Sequence, residues 1–112
     1  MKRSLASVLE SVSDIMFPDN NGNVAITVSS RDASGDTPLH KLLWKNDTEG
    51  AIILIEAEAD INAIGEMGET PLHIAISQNN ETMVKHLLRA GANLDIRSHF
   101  GNTARELLEK KS

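Results

Sequence analysis

Three threonines, Thr37, Thr70 and Thr103, stand thirty-three residues apart, and their surroundings return with them. The first lies in Gly35-Asp36-Thr37-Pro38-Leu39-His40 and the second in Gly68-Glu69-Thr70-Pro71-Leu72-His73-Ile74-Ala75. The third lies in Gly101-Asn102-Thr103-Ala104. A unit of this length cannot bury its own apolar face, so the units must stack into an array. An array presents an extended surface, and such surfaces suit the binding of other macromolecules.

The residues between these landmarks read as short helices. Leu5, Val8, Leu9, Val12, Ile15 and Met16 recur at helical spacing and predict an amphipathic helix over 4–16 with all six on one face. Pro18 ends it, because proline disfavours helical conformation in the residue before it. Residues 18–23 read as a loop, and the alternation of Val24, Ile26 and Val28 predicts a short extended segment. Thr37 is an N-cap and Pro38 fits the first helical position, followed by a buried stripe of Leu39, Leu42 and Leu43. Asn46 closes that helix and Asp47 opens a second, with Ala51, Leu54 and Ile55 facing inward. The next unit repeats the plan. Thr70, Pro71, Leu72, Ala75 and Ile76 make its first helix, and Asn79 and Asn80 make the turn. Met83, Val84, Leu87 and Leu88 face inward on its second, and Gly91 takes the positive φ that stops it. The third unit is a fragment, with Leu107 and Leu108 on one side of a terminal helix and a wet outer side.

Composition narrows the chemistry. Aromatic residues are 3% of the 112, so the core must be built from Leu, Ile, Val and Ala. There is no cysteine, hence no disulfide framework and no thiolate metal site. A net charge of −5 argues against a nucleic-acid backbone as partner and favours a basic protein surface. Met1-Lys2-Arg3 before an apolar run imitates a signal peptide, but Ser7, Glu10, Ser11, Ser13 and Asp14 interrupt the run. No segment is apolar for long enough to span a membrane. A cytoplasmic protein, monomeric when free, is the expectation.

Thr70-Pro71-Leu72-His73-Ile74-Ala75 resembles the ankyrin-repeat signature, and Leu87-Leu88-Arg89-Ala90-Gly91-Ala92-Asn93-Leu94-Asp95 looks like the family's second-helix and loop segment. The resemblance covers about residues 28–110. It implies an all-α fold: an ankyrin-repeat α-solenoid of helix-turn-helix units with β-turn fingers and an extra N-terminal capping helix. The layout read from the chain is a single domain over 1–112. Residues 1–30 hold the capping helix, loop and extended segment; 31–62 and 63–95 are two repeats; 96–112 are a partial C-terminal capping repeat. Three residues of the first unit depart from the family pattern. Leu42 stands where alanine is preferred, Gly50 where an apolar residue is usual, and Glu58 where glycine is usual. The first unit is therefore the weaker by local propensity, and the N-terminal helix is expected to cover it, with Gly50 leaving room for that contact.

Catalytic and metal-binding constellations are missing from this pattern. The resemblance implies that His40 and His73 bond to backbone and threonine hydroxyls of adjacent units. A buried neutral imidazole needs one donor and one acceptor partner. His86 and His99 lack ligand spacing, and zinc needs three or four converging ligands. Acid pairs such as Asp32 with Asp36 and Glu66 with Glu69 lack the deep cleft that general acid–base work requires. The Asp19–Asn23 stretch lacks the ligand ladder of a calcium loop. The expectation is no enzyme, no cofactor and no metal; an enzyme with a shallow surface site is the remote alternative.

Partners of ankyrin proteins touch the finger tips and the outer side of each unit's first helix. By the period, the resemblance therefore implies a partner face of Asp32, Ala33, Ser34, Asp36, Trp44 and Lys45 in the first unit. The second supplies Glu66, Met67, Glu69, Ser77 and Gln78, and the third His99, Phe100 and Asn102. Trp44, Met67 and Phe100 are large apolar side chains in a row, candidates for anchors, and Asp32, Asp36, Glu66 and Glu69 form an acidic rim. The reading is a noncatalytic protein-binding module. Small acidic ankyrin proteins with a helical N-terminal cap look similar to immunity proteins of bacterial toxin systems, which would make a toxin the partner. A general adaptor or regulatory subunit is the alternative.

Overall fold

The computed structural model describes residues 3–17 and 26–111. Six α-helices run through them: α1 Leu5–Met16, α2 Pro38–Trp44, α3 Thr48–Glu56, α4 Pro71–Ser77, α5 Glu81–Arg89 and α6 Ala104–Lys111. Among the described residues, extended pairing amounts to one bridge between Arg97 and Thr103, so the fold is all-α as expected. Pro18, the loop to Asn23, Val24 and Ala25 lie outside the described residues. The extended segment expected to continue to Val28 is corrected: Val28 lies in a turn, with the Ser30 amide bonded to the Thr27 carbonyl at 3.1 Å. The Ser30 hydroxyl accepts the Thr27 amide at 2.9 Å, a local bond that competes with a strand ladder.

Each helix end has a local chemical cause. Thr37 and Thr70 cap α2 and α4 through reciprocal bonds with His40 and His73, and Pro38 and Pro71 need no amide partner there. Asp47 accepts the Gly50 amide at 3.0 Å to open α3, and Asn80 accepts the Met83 amide at 3.2 Å to open α5. The C-termini of α2 to α5 share one device. Asn46, Glu58, Asn79 and Gly91 all take positive φ. The following amides of Asp47, Ala59, Asn80 and Ala92 then bond back to Leu42, Leu54, Ala75 and Leu87 at 2.9–3.0 Å. The chain so reverses within a residue or two, which makes α2–α3 and α4–α5 tight hairpins.

The hairpins stack. One row is α2, α4 and α6; the second row is α3 and α5; α1 lies across both α2 and α3 at the start of the stack. A continuous core runs from Val8, Val12 and Met16 through Leu39, Leu42, Leu54, Leu72 and Ile76 to Leu87 and Ala104. The N-terminal helix therefore does cover the first hairpin, but by a narrower stripe than expected. Val8, Leu9, Val12 and Met16 are buried, whereas Leu5 and Ile15 are exposed, since a single helix laid over an edge has one contact line. In α3, Ile53 is buried and Ile55 only half so, because α1, α2 and α5 all pack on this helix. In α5, Leu88 is exposed on the outer side.

Gly50 explains how the N-terminus is held. Arg3 reaches over it to bond Asp47 at 2.6 and 2.8 Å and Glu49 at 2.9 Å. A Cβ at Gly50 would lie 2.9 Å from Asp47 Oδ2 and 3.0 Å from Arg3 Nη2. The missing side chain is the space that this ion pair occupies.

Candidate functional site

Three fingers project from the stack, each closed by its own backbone. The amides of Asp32, Gly65 and Ser98 bond to the carbonyls of Asp36, Glu69 and Asn102 at 2.9–3.0 Å. Their tips, Ser34, Met67 and Phe100, are one period apart. The fingers are tied to the helices and to each other. His40 Nδ1 accepts the Thr37 amide at 3.1 Å, so its Nε2–H donates to the Glu69 carbonyl at 3.0 Å. His73 does the same with Thr70 at 3.2 Å and with the Asn102 carbonyl at 2.9 Å. Burial holds the His40 pKa below the ordinary histidine range, so this ring is the neutral strut the geometry needs. Arg31 Nη1 donates to the Gly35 and Ile64 carbonyls, both at 2.7 Å, and the His99 amide donates to the Met67 carbonyl at 2.9 Å. Glu106, one period after His73, repeats the cap on Thr103 through carboxylate and amide bonds of 2.9 and 3.1 Å.

Met67 sits at φ 59° beside Gly68 at φ 72°. A methionine in the left-handed region is sterically costly, and here it turns an apolar side chain outward at the tip of the second finger. Trp44, Met67 and Phe100 are 46%, 45% and 64% exposed. They surround one shallow, open depression of about 300 Å³ together with Glu66 and Glu69. It is an open surface hollow rather than an enclosed cavity. Trp44, on the last turn of α2, is thus a wall of this depression.

The remaining residues of the expected face divide. Ala33, Ser34, Lys45, Ser77 and His99 are exposed, and Gln78 and Asn102 are half-buried; none of these lines the depression. Asp32 and Asp36 are a correction. Lys41 Nζ lies 3.1 Å from Asp32 Oδ2 and 3.2 Å from Asp36 Oδ2, and the two acidic side chains are only 7% and 2% exposed. Burial works against the Lys41 ammonium, but bonds to these carboxylates outweigh it and raise its pKa. Asp36 Oδ1 further accepts the Glu66 amide at 2.8 Å. Both acids are internal struts of the fingers, withdrawn from any partner. Lys41 itself was missed from sequence. Its signal was a lysine at the place that Ile74 fills one period later.

The acidic rim therefore shrinks to Glu66 and Glu69. Arg3, Lys41, Arg97 and Arg105 each pair with acids elsewhere. Neither Glu66 nor Glu69 has an ion-pair partner of this kind among the described residues. Burial raises the Glu69 pKa above the ordinary glutamate range. Other depressions among the described residues include one beside α1 around Leu5, Leu9 and Ile26 and one around Ile76, Val84 and Leu108. Neither has an aromatic wall. No three His, Asp or Glu side chains converge as a metal site would require among the described residues. Nor is any helix there long and apolar enough to cross a membrane.

A family model described as ankyrin repeats (3 copies) matches residues 8–99, beginning inside α1. No curated protein matches the chain.

Proposed function

This chain belongs to the ankyrin-repeat family, and on that premise we propose that it is a noncatalytic module gripping a basic partner protein through its finger and inner-helix face. Ankyrin repeats are in general protein–protein interaction modules, and the family is typically non-enzymatic. The observation that carries the reading is the exposed row of Trp44, Met67 and Phe100 beside Glu66 and Glu69. Large apolar side chains held at a rigid surface are the usual anchors of an interface, and unpaired carboxylates beside them select a basic surface. The net charge of −5 supports the same polarity by speeding encounter with a basic partner.

The pointed form of this reading is neutralisation. A pre-formed acidic face that covers a basic working surface inhibits it, as an immunity protein does with its toxin. The adaptor form differs in one outcome: the captured partner keeps its activity when bound. The test is affinity capture from native extract, with the partner then assayed alone and in complex. Trp44→Ala should weaken binding of the captured partner by about 2 kcal/mol or more. A loss below about 0.5 kcal/mol, the scatter of ordinary surface substitutions, would reject the face as the site.

A further inference from the structure

We infer that the depression between Trp44, Met67 and Phe100 is a receptacle for one arginine side chain of the partner. This rests on the protein-binding reading above and names the chemistry its centre recognises. The lining residues Trp44, Phe100, Met67, Glu66 and Glu69 bring an indole, a phenyl ring, a thioether and two carboxylates to one place. An apolar occupant would suit the walls but would bury two carboxylates with nothing to pair them, a costly arrangement. A cation suits both, since aromatic faces attract cations and the carboxylates neutralise them. Between the two cationic side chains the guanidinium fits better. It is planar, stacks on aromatic rings, is weakly hydrated, and offers five donors to two carboxylates. Lysine is a compact, strongly hydrated charge that gains less from flat walls.

The arrangement also changes the role given to Trp44. It receives a side chain rather than inserting one. The ties around it fit that role, because a receptacle must keep its shape when empty. The Met67 carbonyl is held by the His99 amide at 2.9 Å, and the Glu69 carbonyl by His40 at 3.0 Å. Two walls and both carboxylate-bearing residues thus belong to fingers fixed by bonds that do not involve the occupant.

Trp44 is the only tryptophan, so its fluorescence reports this place alone. The probes are the N-acetyl amides of arginine, lysine, citrulline and leucine, titrated into the whole protein. Side-chain NMR signals of Met67 and Phe100 serve as the second readout. Arginine should saturate both signals about tenfold more tightly than uncharged citrulline, a difference of about 1.4 kcal/mol. Glu66→Gln with Glu69→Gln should erase that preference and leave citrulline binding unchanged, with thermal unfolding confirming that the variant folds. Equal binding of citrulline or leucine, lysine matching arginine, a preference that survives the double variant, or no saturable response each overturns the inference. With a captured partner the two readings separate. Binding lost in Trp44→Ala but intact in the double glutamine variant overturns the arginine receptacle alone. Binding intact in Trp44→Ala overturns the protein-binding face itself.

Discussion

The α2–α3 hairpin and the α4–α5 hairpin share a backbone and a set of caps, yet residues one period apart do opposite things. Lys41 stands where Ile74 stands in the second hairpin, Asp36 where Glu69 stands, Trp44 where Ser77 stands, Leu42 where Ala75 stands, and Gly50 where Met83 stands. In the first finger, Lys41 draws Asp32 and Asp36 inward at 3.1 and 3.2 Å. In the second, Ile74 is buried and apolar, and it leaves the Glu69 carboxylate without a cation beneath it. One residue under each finger so decides whether the finger's acids serve the protein's own framework or face outward. Repeats with the same signature are therefore not interchangeable modules.

The sharpest way to break this contrast is to swap the hairpins' core residues. Leu42 and Ala75 are both fully buried at equivalent places. If the hairpins were interchangeable, Leu42→Ala would only restore what the second already has. Instead it should leave a cavity costing about 2–5 kcal/mol, and Ala75→Leu should overpack at about 1–3 kcal/mol. Urea denaturation of the two variants measures both, and near-neutral values would show that the two sites are packed alike.

A somewhat smaller effect should appear at Gly65. Its equivalents, Asp32 and Ser98, carry side chains without difficulty. A Cβ at Gly65, however, would meet Asp36 Oδ1 directly and come within 2.7 Å of His40 Nε2. The requirement comes from the first hairpin, whose Asp36 leans across to accept the Glu66 amide at 2.8 Å. Gly65→Ala should therefore destabilise by about 1–3 kcal/mol, the cost of forcing atoms into a filled space. A Tm equal to that of wild type would show that Asp36 is not the constraint.

The parts of the molecule legible in the sequence were those decided within a few residues. Thr37, Pro38, Asn46 and Asp47, with their second-hairpin counterparts, set helix ends by bonds to their own neighbours. The period also put Trp44, Met67 and Phe100 on one side, where the structure gathers them around a single depression. What failed were through-space pairings. Asp32 and Asp36 read as rim acids because charge and loop position are local, whereas their partner Lys41 sits on the helix below. Leu5 and Ile15 fit the apolar period of α1, but α1 has neighbours along only one line. Ile53 is buried because three helices surround α3, a fact about its neighbours that no spacing within α3 records.

Glu58 and Gly91 offer a comparison of about 1 kcal/mol. Both follow the last turn of an outer helix, at φ 66° and 91°, and both lie in the same six-to-one bond pattern. Glycine adopts this conformation freely, whereas a residue with a Cβ does not. Glu58→Gly should therefore stabilise the protein by about 1 kcal/mol, reduced by the greater freedom of glycine in the unfolded chain. Gly91→Ala should destabilise by a similar amount, although a Cβ there would meet no atom within 4 Å. That open space makes Gly91→Ala the cleaner arm: any loss is backbone conformation alone. Thermal unfolding that moves the same way for both substitutions would mean that the two helix ends obey different rules.

The smallest effect concerns the charge that the second finger leaves unpaired. Burial raises the Glu69 pKa, so the ionised group is slightly disfavoured in the folded state. The sign follows from linkage. Below the ordinary glutamate value the group is protonated whether folded or not, and stability is at its fullest. That contribution is lost as pH rises through the raised folded value. Glu69→Gln should then be more stable than wild type at pH 7, within the ~0.5 kcal/mol of an ordinary surface change, and equal to it near pH 3. Asp47 supplies the opposite sign from the first hairpin. Burial would raise its pKa, but bonds from Arg3 and the Gly50 amide outweigh burial and lower it. Its contribution is present above the ordinary aspartate value and disappears as pH falls through the lowered one. Paired urea titrations of Glu69→Gln and Asp47→Asn at both pH values should diverge accordingly. A Glu69→Gln variant less stable than wild type at pH 7 would mean that the carboxylate already has a cation inside the molecule. Lys41 and Ile74 would then no longer separate the two fingers, and of the rim carboxylates only Glu66 would be left for a partner to neutralise.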